Sequence, residues 1–240
     1  MEKELFKAYT RGHKNHGWLD TYHTFSFASY YNPDRIHFGA LRVVNDDIVI
    51  GGEGFDTHPH DNMEIISIPL YGSLQHKDSM GSGSVIEAGE IQVMSAGTGI
   101  THSKFNANKD RDLNFLQIWV LPNKENVKPG YGQQKFDFEA NRNNLIQIVS
   151  PNPDDAGLWI HQNAWFNLGI FDEGVSFEYK LKQKQNGLFV MVIDGEFTVD
   201  GEILSRRDAI GLWDFDSVNI QSKNNDARIL LIEVPMSEFD

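Results

Sequence analysis

Two histidines stand one residue apart in the stretch GFDTHPHDNMEIIS: His58 and His60, with Pro59 between them. In an extended strand alternate side chains share a face, so both imidazoles project the same way, within reach of one ion. A third imidazole, His102, follows a glycine-rich turn (Gly97, Gly99) in AGEIQVMSAGTGITHSKFN. The chain has no cysteine. Thiolate sites and cysteine nucleophiles are therefore excluded, and any metal must be held by nitrogen and oxygen. Imidazole ligands suit Fe, Ni, Co, Cu or Zn and argue against Mg and Ca, which prefer oxygen shells. The plain alternative for His58 and His60 is a pair of solvent-facing strand histidines. Glu64, four residues past His60, shares its parity if the strand runs on regularly, which makes it a candidate carboxylate for the same site. A bulge at Asp61 and Asn62 would spoil that alignment.

The elements that must position these residues are short runs of Val, Ile, Phe and Leu punctuated by Gly, Asn and Asp: ALRVVNDDIVIGGEG, MEIISIPLYGSLQHKD, GSVIEAGEIQVMSAG and NFLQIWVLP. Such runs predict antiparallel strands of a sandwich or barrel, with hairpin turns at VNDDIV and LYGSL. The polar segment PNKENVKPGYGQQKFDFEANRNN predicts a linker with little structure of its own, and a second β-rich block follows it. No long stretch carries a 3.6-residue apolar period, so helices are expected to be few and short. The two blocks resemble each other: IISIPLYGSLQHKD aligns with FVMVIDGEFTVDGE, and IEAGEIQVMSAG with LSRRDAIGLWDF. The expected organisation is a duplicated barrel, residues 1–125 carrying the histidines and residues 126–240 comprising the linker and second barrel. The region of the second block equivalent to the His-x-His pair, FEYKLKQ, offers Tyr179 and Leu181.

A net charge of -13 and a pI near 5.0 repel phosphate backbones and argue against direct nucleic-acid binding. The start MEKELFKAYTRGHKNHGW has no apolar run of signal-peptide length, and no segment approaches the roughly 20 apolar residues of a membrane span. A cytoplasmic location is the expectation.

Three separated motifs, RGHKNHGWLDTYHTFSFASYYNP, FDTHPHDNMEIISIPLYGSLQHKDSMG and IQVMSAGTGITHS, resemble in order and spacing the pirin family of the cupin superfamily, in particular its bacterial quercetinase-like branch. The resemblance implies an all-β bicupin, two antiparallel barrels of six to eight strands face to face. It also implies one mononuclear metal in the first barrel, held by His58, His60 and His102, and no organic cofactor. The family's fourth ligand is a glutamate two residues after the third histidine; here that position is Lys104. A carboxylate can bind the metal and take a proton from a flavonol hydroxyl, whereas an ammonium is repelled by a divalent cation. Three outcomes follow for the fourth position: Glu64 replaces the carboxylate, water fills it, or the site no longer holds metal well. The first reading of function is a metal-dependent quercetin 2,3-dioxygenase-type enzyme acting on flavonols or related phenolic or enediol substrates. The second is a non-catalytic binding or regulatory protein with a protein partner, as animal pirins are associated with transcription factors.

Other suggestive groups have simpler readings. His13, His16 and His23 are expected to cap loops and pack against Trp18 and Tyr22, and Phe25, Phe27, Phe55 and Met94 to belong to the core. Trp159, His161 and Trp165 are expected to serve packing between the barrels.

Overall fold

The structure is a computed structural model that describes residues 1–236. Strands in the first part of the chain are β1 (Glu2–Phe6), β2 (Gly12–Asn15), β3 (Leu19–His23), β4 (Leu41–Val49), β5 (Gly54–His60), β6 (Glu64–Tyr71), β7 (Ser73–Asp78), β8 (Gly83–Glu87), β9 (Glu90–Ser95), β10 (Ile100–Asn106) and β11 (Leu113–Val120). There follow β12 (Gly130–Lys135), β13 (Ile146–Ser150), β14 (Leu158–Trp159), β15 (Trp165–Phe171), β16 (Ser176–Lys180), β17 (Asn186–Asp194), β18 (Glu196–Val199), β19 (Glu202–Ser205), β20 (Ala209–Trp213), β21 (Ser217–Ser222) and β22 (Ala227–Pro235). Among the described residues the only helical element is a 3-10 turn, Ala8–Thr10.

Each half is a sandwich of one seven-stranded and one four-stranded sheet. The first half has the orders β12-β9-β6-β11-β4-β3-β2 and β5-β10-β7-β8, and the second β1-β20-β17-β22-β15-β13-β14 and β16-β21-β18-β19. The sheets do not close on themselves, so each half is an open barrel, enlarged by strands at its edges. The duplication expected from sequence is realised strand by strand: the passage from β6 to β7 between the two sheets has its counterpart in β17 to β18, and β5-β10-β7-β8 in β16-β21-β18-β19. Two strands cross the expected 125/126 division. β1 pairs with β20 of the second half, Glu2 opposite Trp213, while β12, inside the expected linker, pairs with β9 of the first.

Strand alternation explains how the halves join. Ile66, Ile68 and Leu70 of β6 and Leu116, Ile118 and Val120 of β11 point away from the first barrel's interior. They pack with Phe189, Met191, Leu230, Ile232 and Val234 of the second half in one large apolar core between the two seven-stranded sheets. Residues of opposite parity face the barrel interiors. Because both faces of these strands are buried, their sequences read as near-continuous apolar runs.

Neither expected hairpin is present. At LYGSL the chain does not reverse: Gly72, at φ 81°, bends it from β6 in the seven-stranded sheet into β7 in the four-stranded sheet, a left-handed conformation that glycine adopts without cost. VNDDIV, by contrast, lies wholly within β4. Its two aspartates are buried and matched by distant partners: Asp46 by Arg207 Nε (2.7 Å) and Asn114 Nδ2 (2.7 Å), Asp47 by Thr21 and Gln117. Tertiary pairing keeps extended a segment whose local composition favours a turn.

Candidate metal centre in the first barrel

β5 ends in His58 and His60, and β10 runs antiparallel to it with His102 opposite His58. The three rings meet edge to face with centroids 4.6 to 4.8 Å apart. One ring nitrogen from each residue lies within 4.8 Å of the other two. His58 Nδ1 donates to the Asp56 carbonyl at 2.7 Å, which fixes its tautomer and leaves the Nε2 lone pair free. That Nε2 faces His102 Nε2 at 3.1 Å, and His60 Nε2 is buried without a hydrogen-bond partner. Burial pushes the His60 imidazole down to about 4 and lowers that of His102 as well. Both are therefore neutral at neutral pH, the form a metal requires. Convergent imidazoles with unused lone pairs suit a transition metal.

Lys104 follows on the same strand, past a register shift in the β10–β5 ladder that sets it opposite Phe55. Its side chain is buried, and Nζ donates to Ser67 Oγ at 2.9 Å while standing 5.9 Å above the Phe115 ring. Burial pushes the ammonium down to about 7, against the charge of Asp47. The Asp47 carboxyl is itself pushed up to about 6 by burial, although Thr21 Oγ1 (2.5 Å) and Gln117 Nε2 (3.1 Å) donate to it.

Around this core, His60 packs edge-on against Trp119 at 4.9 Å, and Trp119 packs against Phe27 and donates from Nε1 to Gln117. On the other side His76 packs 5.4 Å from His102; it accepts from Gln92 at Nδ1 and donates from Nε2 to Asp78 at 3.0 Å. A cavity of about 240 Å³ has Trp18, Phe27, Phe55, Asn45, Asp47 and Gln117 in its wall and meets the site through Asp47 and Gln117, the three imidazoles not lining it. Both amide atoms of Asn45 there, and Nδ1 of His23, are buried without partners.

Glu64 is elsewhere. The strand breaks at Asp61–Met63, with Asn62 at φ 42°, and Glu64 opens β6. It has the parity of Ile66 and Ile68, which face the core between the halves, whereas Ser67, of opposite parity, meets Lys104. Its Oε2 accepts from Ser95 Oγ at 2.6 Å, and its Oε1 is 3.4 Å from His161 Nδ1. The fold does not bring this carboxylate to the three imidazoles.

Comparison with known proteins identifies the family. The pirin family model matches residues 5–120, and a model described as the quercetinase C-terminal cupin domain matches residues 147–234. The quercetin 2,3-dioxygenase of Escherichia coli strain K12 is 39% identical over 232 residues, 96% of this chain and 98% of its own length. The chain belongs to the pirin family. The crystal structure of bacterial pirin YhhW from E. coli in complex with nickel(II) superposes with a TM-score of 0.92 at 37% identity, over 98% of this chain and 100% of that one. A quercetin 2,3-dioxygenase from Acinetobacter baumannii, with a TM-score of 0.78 at 18% identity over 98% of this chain and 80% of that one, shares the fold.

Within this pirin fold the other sequence motifs fall as follows. Phe25 and Met94 are buried; His23 is buried beside Phe27, and His13 stacks on Tyr22. Phe55 packs against Trp18. Trp165 is nearly buried, but Trp159 is 44% exposed and lies against His161. Asp47, Ser67 and Gln117 were not singled out from sequence. Their signal is a polar residue at an inward position of an otherwise apolar strand, as in EIISIPLY and NFLQIWV.

Proposed function

We propose that this chain holds one divalent transition metal on His58, His60 and His102 and acts as a quercetin 2,3-dioxygenase-type oxygenase on a phenolic substrate. The observation that carries the reading is the convergence of three imidazoles, one with its tautomer set by a backbone carbonyl and one with an unpartnered buried nitrogen. Nickel is a candidate because a bacterial pirin relative binds it. When bound, such a metal supplies Lewis-acid activation of a chelated phenolate and an electronic route to dioxygen.

The chain's own residues complete the site. Trp18, Phe27 and Phe55 offer flat apolar walls to an aromatic ring, while Asn45 and His23 present unpartnered polar atoms that can meet its hydroxyls. The volume, about 240 Å³, lies below the roughly 300–1,000 Å³ of pockets for drug-sized ligands, which favours a one-ring catechol over a three-ring flavonol. Asp47, raised by burial to about 6, is suited to accept a phenolic proton near neutral pH. The Lys104 ammonium next to it favours an anionic substrate. The relatives named as dioxygenases support the enzymatic reading over the regulatory one.

Oxygen uptake by nickel- or iron-loaded protein, with quercetin and with catechol, tests this directly. Consumption by the wild type that is lost in His58→Ala is expected. Activity that arises only in Lys104→Glu would mean that the lysine has abolished the family's chemistry in this chain.

A further inference from the structure

A second cleft, of about 490 Å³, lies outside the histidine barrel, where β9 and β12 of the first half meet the β14 region of the second. Its wall is mainly apolar, with Val93, Tyr131, Leu158 and the exposed face of Trp159; Ser95 and His161 form its polar part. Gly130 and Gly132 keep the β12 side low, and a Cβ at Gly132 would already press to 3.0 Å from Leu158. Behind Ser95 and His161 is Glu64, 1% exposed, whose Oε1 has only His161 Nδ1 near it, at 3.4 Å and outside hydrogen-bond geometry. Both residues that touch this carboxylate line the cleft, so its unpaired oxygen lies one side chain behind the wall. A buried carboxylate oxygen left without a donor is costly, and a cationic donor relieves that cost best.

We propose that this cleft binds a small organic cation with a flat apolar body, its ammonium or amidinium entering beside Ser95 and His161 to donate to Glu64 Oε1. The body lies against Trp159 and Leu158, where the indole face also attracts positive charge. The chain's excess of acidic residues favours approach of cations. Lys128, the single cationic side chain in the wall, restricts the positive end of the ligand to the Glu64 side. Glu64 ordinarily retains its proton above the usual carboxylate range because it is buried, and a paired cation would favour its ionised form. The site is independent of metal binding, since β6 separates Glu64 from the face that meets Lys104.

The test is titration of the isotope-labelled full chain with 2-phenylethylamine, followed by NMR, with phenylacetate as the probe of opposite charge. Saturable shifts confined to residues 64, 93–95, 128–132 and 158–161 are expected with the amine and not with the acid. Glu64→Gln should weaken binding by at least about tenfold, His58→Ala should leave it unchanged, and Trp159→Ala, a change at an exposed position, should weaken it in a chain that remains folded. Absence of saturable shifts, equal binding of phenylacetate, or binding unaffected by both Glu64→Gln and Trp159→Ala would overturn the proposal. Shifts centred on His58 and His102 would do the same.

Discussion

The two barrel interiors differ more than their frameworks. In the second half the inward positions are filled by Phe171, Leu188, Val190, Val192, Phe197, Leu204, Val218, Ile220, Ile229 and Leu231. The fully buried carboxylate of Glu233 there is saturated by Tyr179 Oη, Asn186 Nδ2 and the backbone amides of Lys182 and Gln183. In the first half the interior apolar residues fall into two small groups, one around Leu74, Ile86 and Phe115, the other around Ile65, Met94 and Ile100. His58, His60, His102, Lys104, Ser67, Asp47 and Gln117 belong to neither group. The strand pair β5–β10, where His58 faces His102, corresponds to β16–β21, where Tyr179 faces Val218. The same scaffold thus yields a packed core in one copy and a polar, ion-sized convergence in the other. What separates them is a handful of inward-facing residues, so stability resides in the second barrel and chemistry in the first.

The largest expected effect bears on the packed copy. Leu231→Ala should lower the stability of the protein by about 2–5 kcal/mol, measured by urea unfolding. A cost below about 1 kcal/mol, the range of a tolerated volume-conserving swap, would mean that this interior does not carry stability in the way described. The next bears on the polar copy: Lys104→Glu replaces an ammonium by a carboxylate beside the imidazoles, and nickel affinity by calorimetry should rise at least about tenfold. An unchanged affinity would place the lysine outside the electrostatic reach of the ion.

The smallest effect concerns pH. An Asp47 carboxyl held at about 6, against an ordinary value of 3.8, binds its proton more tightly in the folded than in the unfolded chain. Its contribution is therefore complete below about 4 and is lost as pH rises through about 6. Compared with wild type, metal-free Asp47→Asn should lack that fall in stability, a difference of about 1 kcal/mol or more across the window. Parallel pH profiles for the two proteins would show that the carboxyl is not held up by burial.

Much of this contrast was legible in the sequence. The β-rich blocks, the bend at Gly72, the duplication and the three histidines follow from alternation, glycine placement and spacing, which are local properties. What escaped depends on distant partners. Asp46 and Asp47 suggest a turn until Arg207, Asn114, Thr21 and Gln117 are placed around them. Glu64 shares parity with His60 only if the strand continues, and the left-handed Asn62, whose amide bonds to Gly97, breaks it. The membership of β1 and β12 follows from edge pairing with β20 and β9, which no local pattern encodes.

The central claim is that the first barrel exists to hold one ion. Elemental analysis of the full chain purified without added metal or chelator tests it most directly. Close to one transition metal per chain in the wild type, and almost none in a folded His58→Ala variant, is the predicted result. Folded wild-type protein that stays metal-free even after incubation with nickel would contradict it.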